Sequence, residues 1–180
     1  MDKFFNKIKL ETRYEDSDTG LDVAAFKIKG QYAYMLVDKG PCEDMEEYEK
    51  DISANFDIVP QILFLYKNEE EFNKAMKETD QCQKVNPSSK EHPYIPYPIL
   101  KPDDFYSLYG NSELDETVIP EAFISGEITE MEDKGNYFEV KFKSCGMVFE
   151  STIAKEKGKP DPAVGNIVYG KFELHAEICK

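Results

Sequence analysis

The sequence predicts an α+β fold: a mixed N-terminal half with short helices, followed by a C-terminal antiparallel β-meander or small β-barrel. Three observations lead there. Short alternating apolar runs recur near the N-terminus. Helix-start signals at Gly40-Pro41 and Asn68 interrupt them. Residues 120–180 then hold four strand-like runs joined by hairpin-length links. With 41% hydrophobic and 13% aromatic residues among 180, the chain has enough apolar material for a packed core.

The N-terminal region, residues 1–80, opens on a half-buried strand in which Ile8, Leu10 and Thr12 alternate with Lys7, Lys9 and Glu11. A polar turn covers 15–20. Two runs, Val23 to Ile28 and Tyr32 to Val37, flank Lys29-Gly30-Gln31 and read as a hairpin. Pro41 suits a first helical position, and Glu43, Asp44, Glu46 and Glu47 suit the positive end of a helix dipole. Met45, Tyr48 and Ile52 then share a helical face. Ile58 to Tyr66 reads as a strand whose start Pro60 confines to an edge or bend. Asn68 and Glu71 form a capping-box pattern ahead of a helix burying Phe72, Ala75 and Met76.

Residues 81–119 form a proline- and tyrosine-rich strap with a short helix. Pro87, Pro93, Pro96, Pro98 and Pro102 are half of the ten prolines and favour extended backbone. Asp103 reads as the cap of a short helix holding Phe105, Tyr106, Leu108 and Tyr109, ended by Gly110. The aromatics of this region are its candidate binding residues: Tyr94, Tyr97, Tyr106 and Tyr109 would offer a protein-binding surface if exposed. If packed, they would pin the strap to its flanking sheets.

Residues 120–180 are the clearest block. Strands are expected over Phe123 to Met131, Tyr137 to Lys143, Met147 to Ala154 and Asn166 to Ile178. A tandem array of this kind curls into a small barrel. At the level of fold this block resembles an OB-type barrel, through its strand lengths and its late glycine-bearing strand. It has four strands rather than five and lacks the usual helix before the fourth. The resemblance implies oligonucleotide or oligosaccharide binding, with Tyr137, Phe138, Phe142 and Phe149 stacking on bases.

Charge restricts partners more than any motif does. Thirty-six acidic and 22 basic residues leave −14. From Ala122 onward there are 10 acidic and 8 basic residues, so residues 1–121 hold 26 and 14, a balance of −12. Such a field repels phosphate backbones and anionic lipid and favours a basic protein. No run approaches the roughly 20 apolar residues of a membrane span, and no signal-peptide core follows Met1, so the cytoplasm is the expected location. Cys42, Cys82, Cys145 and Cys179 are widely spaced and read as reduced thiols, several of them buried.

No motif specifies chemistry, and no cofactor or metal is expected. Gly165 to Lys171 matches the front of a phosphate-binding loop, but Phe172 stands where a magnesium-binding Ser or Thr belongs, and no helix pattern follows. Asp16, Asp18 and Asp22 resemble a calcium loop, but Leu21 and Lys27 occupy its required Gly and acidic positions. His175 and Cys179 lie four apart in a strand, which separates their Cα atoms by roughly 13 Å, too far for one metal ion unaided. Cys145, on a tight turn, is the one thiol placed to be a nucleophile, but no base can be assigned to it. The expected function is therefore non-enzymatic: an acidic accessory protein recognising a basic partner, in the manner of an inhibitor or immunity protein. The alternatives are the oligomer-binding barrel and an enzyme using scattered carboxylates with His175 or Cys145.

Overall fold

The computed structural model describes residues 1–15, 22–37, 50–85, 101–108 and 120–179. Nine strands alternate with a single helix among these residues: β1 (Asn6–Glu15), β2 (Asp22–Ile28), β3 (Gln31–Val37), β4 (Lys50–Tyr66), α1 (Glu69–Val85), β5 (Asp104–Ser107), β6 (Glu121–Asp133), β7 (Tyr137–Ser144), β8 (Met147–Ala154) and β9 (Ile167–Cys179). All nine strands belong to one mixed sheet.

The sheet is organised around a long antiparallel ribbon. β4 pairs with β9 from Ser53↔Cys179 to Tyr66↔Ile167. At one end of the ribbon, β1 lies on the free side of β4 and β3 touches the free side of β9, with β2 joining them. At the other end, β8 lies on the free side of β4 and β6 on that of β9, with β7 between. Two meanders thus close two rings through the same pair of strands. Two of the contacts are short and parallel, β3 with β9 and β4 with β8. The rest are antiparallel.

The alternation of strand side chains explains why both rings share one interior. Ile52, Ala54, Phe56 and Ile58 of β4 point inward with Val168, Phe172, Leu174 and Ala176 of β9. Phe26 and Met35 of the first meander and Val140, Phe142 and Phe149 of the second complete a single buried cluster. Phe56 stands at its centre, edge-on to Phe26 and stacked on Phe149, both at 5.5 Å between centroids. Each such phenyl contributes about 1.5–3 kcal/mol by leaving water.

Two amide side chains seal the places where backbone pairing changes hands. Buried Asn6 donates to the Val148 carbonyl at 2.8 Å and accepts from the Val148 amide at 2.8 Å, bridging β1 to β8. Gln31 donates to the Phe105 carbonyl at 3.0 Å and accepts from the Ser107 amide at 3.3 Å, which covers the edge of β5. Both behave as an extra peptide unit in the sheet.

The sheet corrects the α+β expectation. Strand, rather than an even mixture, dominates both halves. Ile52, expected on a helical face, lies in β4, where apolar Ile52, Ala54, Phe56 and Ile58 at period two outweigh the helical spacing. The rest of that expected helix, 41–49, lies outside the described residues. The short helix expected after Asp103 is β5 instead: Phe105 and Ser107 are buried, Tyr106 is exposed, and pairing with β6 overrides the local cap signal. The C-terminal strands do not close on themselves as an OB-type barrel would, because β9 pairs with β6 and β4 rather than β8. The N-terminal hairpin and helix α1 form where the sequence places them. Lys29 and Gly30 have φ of 51° and 78°, the two positive values a tight hairpin turn requires. Asn68 caps α1 by accepting from the Glu71 amide at 2.9 Å. Phe72 and Met76 then bury against Tyr169 and Ile167 on the outer face of the ribbon.

Pro60 and Gly170 set the bend of the ribbon. Pairing slips between Pro60 and Ile62, and a Cβ on Gly170 would sit 2.1 Å from the Ile62 carbonyl oxygen. The bulge therefore exists only because residue 170 has no side chain. Replacing Gly170 with Ala is expected to cost about 2–3 kcal/mol, the scale of overpacking at a site that cannot relax. The control Gly158→Ala has open space around it and a φ of 90°, and is expected to cost about 1 kcal/mol. Urea unfolding midpoints for the two variants check the difference.

Candidate functional site

The outer face of the ribbon collects charge that the inner face excludes. Register places Asp57 of β4 directly beside His175 of β9 and Glu150 of β8. Asn55 pairs with Glu177 and Val59 with Glu173 on the same strands. His175 Nε2 lies 2.7 Å from Glu173 Oε1, Lys3 bonds Glu177, and Glu150 accepts from the Phe4 amide at 2.7 Å. Asp57 alone in this group has no hydrogen-bond or ion-pair partner among the described residues. Desolvation pushes its carboxyl above the ordinary value, and repulsion from Glu150 adds to the shift.

About half of the lysines with described side chains pair with carboxylates of the same surface. Lys134 pairs with Glu132 at 2.7 Å, Lys155 with Asp133 at 2.7 Å, and Lys159 with Glu156 at 2.7 Å. Lys171 pairs with Glu121, and Lys29 with Asp104. Lys141 is buried, and its ammonium reaches Glu130 at 3.0 Å, as a buried cation must. Burial opposes ionisation of Glu121, but hydrogen bonds from Lys171 and Gln61 outweigh it and hold the carboxyl below its ordinary value. These cations are thus committed to carboxylates of the same surface and do not form a basic groove.

A groove of about 690 Å³ opens where β4 and β8 part. Their pairing covers only Phe56–Ile58 against Phe149–Ser151. Ser151 Oγ closes it by donating to the Ile58 carbonyl at 2.7 Å. Beyond that point Val59–Phe64 of β4 and Thr152–Ala154 of β8 line the groove, with Glu156 and Lys159 at its margin. The Ile58 carbonyl faces β8, so the alternation of the strand turns the nitrogen of Pro60 to the same side. A proline costs no ladder bond there.

The residues singled out from sequence are not brought together. Tyr106 lies on β5 and is exposed, while Tyr94, Tyr97 and Tyr109 lie outside the described residues. Phe138, Phe142 and Phe149 are core side chains, which leaves exposed Tyr137 alone of the expected stacking platform. Gly165 to Lys171 runs from a turn into β9, without the helix a phosphate loop needs. Asp22 is buried at the start of β2; Asp16 and Asp18 lie outside the described residues. Among the described residues no cluster of three metal-ligating side chains occurs and no helix is long and apolar enough to cross a membrane.

Neither His175 nor Cys145 lines the groove between β4 and β8. His175 is half-exposed on an open sheet face. Cys145 is half-buried at a turn with φ of 51°, and burial pushes its thiol up, which disfavours the thiolate a nucleophile requires. It instead anchors the incoming chain: its amide donates to Asp103, while Ser144 Oγ donates to the Asp104 carbonyl at 3.1 Å. Cys179 is exposed. Sequence reasoning missed Asp57 and the groove. Their signal was present in the polar alternation Asp51, Ser53, Asn55, Asp57 and in Pro60 within a strand-like run.

Asp57 and Glu132 give opposite pH dependences. Glu132 is held down to about 2 by hydrogen bonds from Lys134 and the Met1 amine. Its stabilisation is present above the ordinary 4.5 and is lost as pH falls through about 2. Asp57 is raised above the ordinary 3.8, so the folded state holds its proton more tightly than the unfolded state. Stability from that group is full below 3.8 and is lost as pH rises through the folded value. Asp57→Asn is therefore expected to raise Tm at pH 7 by about 1–2 °C, the effect of a surface change under ~0.5 kcal/mol in a chain of this size. No gain is expected at about pH 3, where the carboxyl is largely protonated in both states. Thermal melts of the variant and parent at the two pH values check the sign.

Comparison with family models, with curated proteins and with solved structures finds no match to this chain.

Proposed function

We propose that this chain is a non-enzymatic binding protein whose partner is a basic protein surface. The observation that carries the reading is electrostatic. The chain holds 36 acidic against 22 basic residues, and about half of its described lysine side chains are tied to carboxylates of its own surface. The surplus negative charge is left for an external counterpart, which it attracts at long range. The half-exposed His175 and the half-buried thiol of Cys145 do not form a nucleophile–base pair, which favours binding over catalysis.

Immobilised protein is expected to retain one or a few basic proteins from the source lysate at low salt. Retention should fall steeply near the ionic strength at which the screening length is about 8 Å. A variant carrying Asp57→Asn, Glu150→Gln, Glu173→Gln and Glu177→Gln is expected to retain less at the same salt. Retention of acidic and basic proteins alike, or retention that does not respond to salt, would contradict the reading.

A further inference from the structure

Resting on that reading, we infer that the groove between β4 and β8 accepts an extended, lysine- or arginine-bearing segment of the basic partner as an added strand. The first observation is the edge itself. Across Val59–Phe64, β4 is bonded to β9 on one side, while on the other β8 has diverged and no described strand replaces it. Six residues of strand present about 20 Å of edge, enough for the backbone of one short segment. An exposed edge of this length is a template for pairing.

The second observation is the chemistry along the edge. Val59 is 51% exposed and Phe64 is 36% exposed, unusual for apolar side chains in the longest strand of the sheet. Asp57 lies at one end of the groove, while Glu156, beside Thr152–Ala154, is paired with Lys159. Asp57 has no partner among the described residues, and desolvation plus its acidic neighbour already strain its charge. An incoming cation would relieve that strain, whereas an incoming carboxylate would worsen it. Alternating cationic and apolar side chains on one strand would therefore match the groove. Pro60 offers no amide on this edge, so an added strand would pair through its carbonyl and through the residues beyond the bulge.

The test is a titration of ¹⁵N-labelled full chain with an eight-residue peptide alternating lysine and valine, at low salt. Amide shifts are expected in Val59–Phe64, excepting Pro60, and in Thr152–Ala154. The same peptide N-methylated at alternate residues cannot pair along one edge and is expected to bind about tenfold more weakly, a loss of one or two net hydrogen bonds. A glutamate–valine peptide is expected not to bind, and Asp57→Asn with Glu156→Gln should weaken the lysine peptide several-fold. Equal binding of methylated and unmethylated peptides, or shifts confined to other faces, would overturn the strand-acceptor inference and leave the charge-based reading standing. Failure of the lysine peptide to bind while a basic partner is retained from lysate would do the same. Failure of both experiments would overturn both.

Discussion

The antiparallel pairing of β4 with β9 is the interaction on which everything else in this molecule depends. Each meander has one end on β4 and the other on β9, so neither ring exists without the ribbon. The ribbon must also bend to serve two rings. That bend is made by the bulge beside Pro60 and by the absence of a side chain at Gly170. Phe56, at the middle of β4, touches aromatic rings from both meanders, so the hydrophobic effect couples the rings that the backbone joins. Contacts between residues so distant in sequence are costly to form in loop entropy, and the topology compensates by making one pairing serve two closures.

The local parts of this architecture were legible in the sequence, and the global parts were not. The hairpin about Lys29-Gly30 and the cap at Asn68 depend on residues within a few positions of one another, so their signals survive in a short window. β5 shows the opposite case. Four residues after Asp103 carry helix-start chemistry, yet they become a strand because β6 offers them hydrogen-bond partners. The extra length of β4 was hidden because Ile52 fits both a helical spacing with Tyr48 and a period-two run with Ala54 and Phe56. Closure was hidden altogether: nothing local marks β9 as the neighbour of β4, whose sequence lies more than a hundred residues earlier. Asn6 and Gln31, which finish the sheet with side-chain amides, look in sequence like ordinary polar strand residues.

The surface reads as one consequence of this build. A closed sheet sends every second side chain outward, and on β4, β8 and β9 those side chains include Asp57, Glu150, Glu173 and Glu177, together with Lys171 and His175. The OB-type resemblance drew function from four strands that would close alone and display aromatics. Instead β7 and β8 turn Phe138, Phe142 and Phe149 into the shared core, and Lys141 of β7 is buried against Glu130. Beside the carboxylates of β4, β8 and β9 the described surface displays a half-open strand edge and the exposed apolar side chains Val59 and Phe64.

Native-state hydrogen exchange tests the dependence on the ribbon most directly. If β4 and β9 hold both rings, the slowest amides of β2, β7 and the ribbon should share one opening free energy and respond together to added denaturant. If the β6–β8 amides stay protected under conditions where β1–β3 exchanges by a separate, smaller opening, the ribbon is not the common support and the account is wrong.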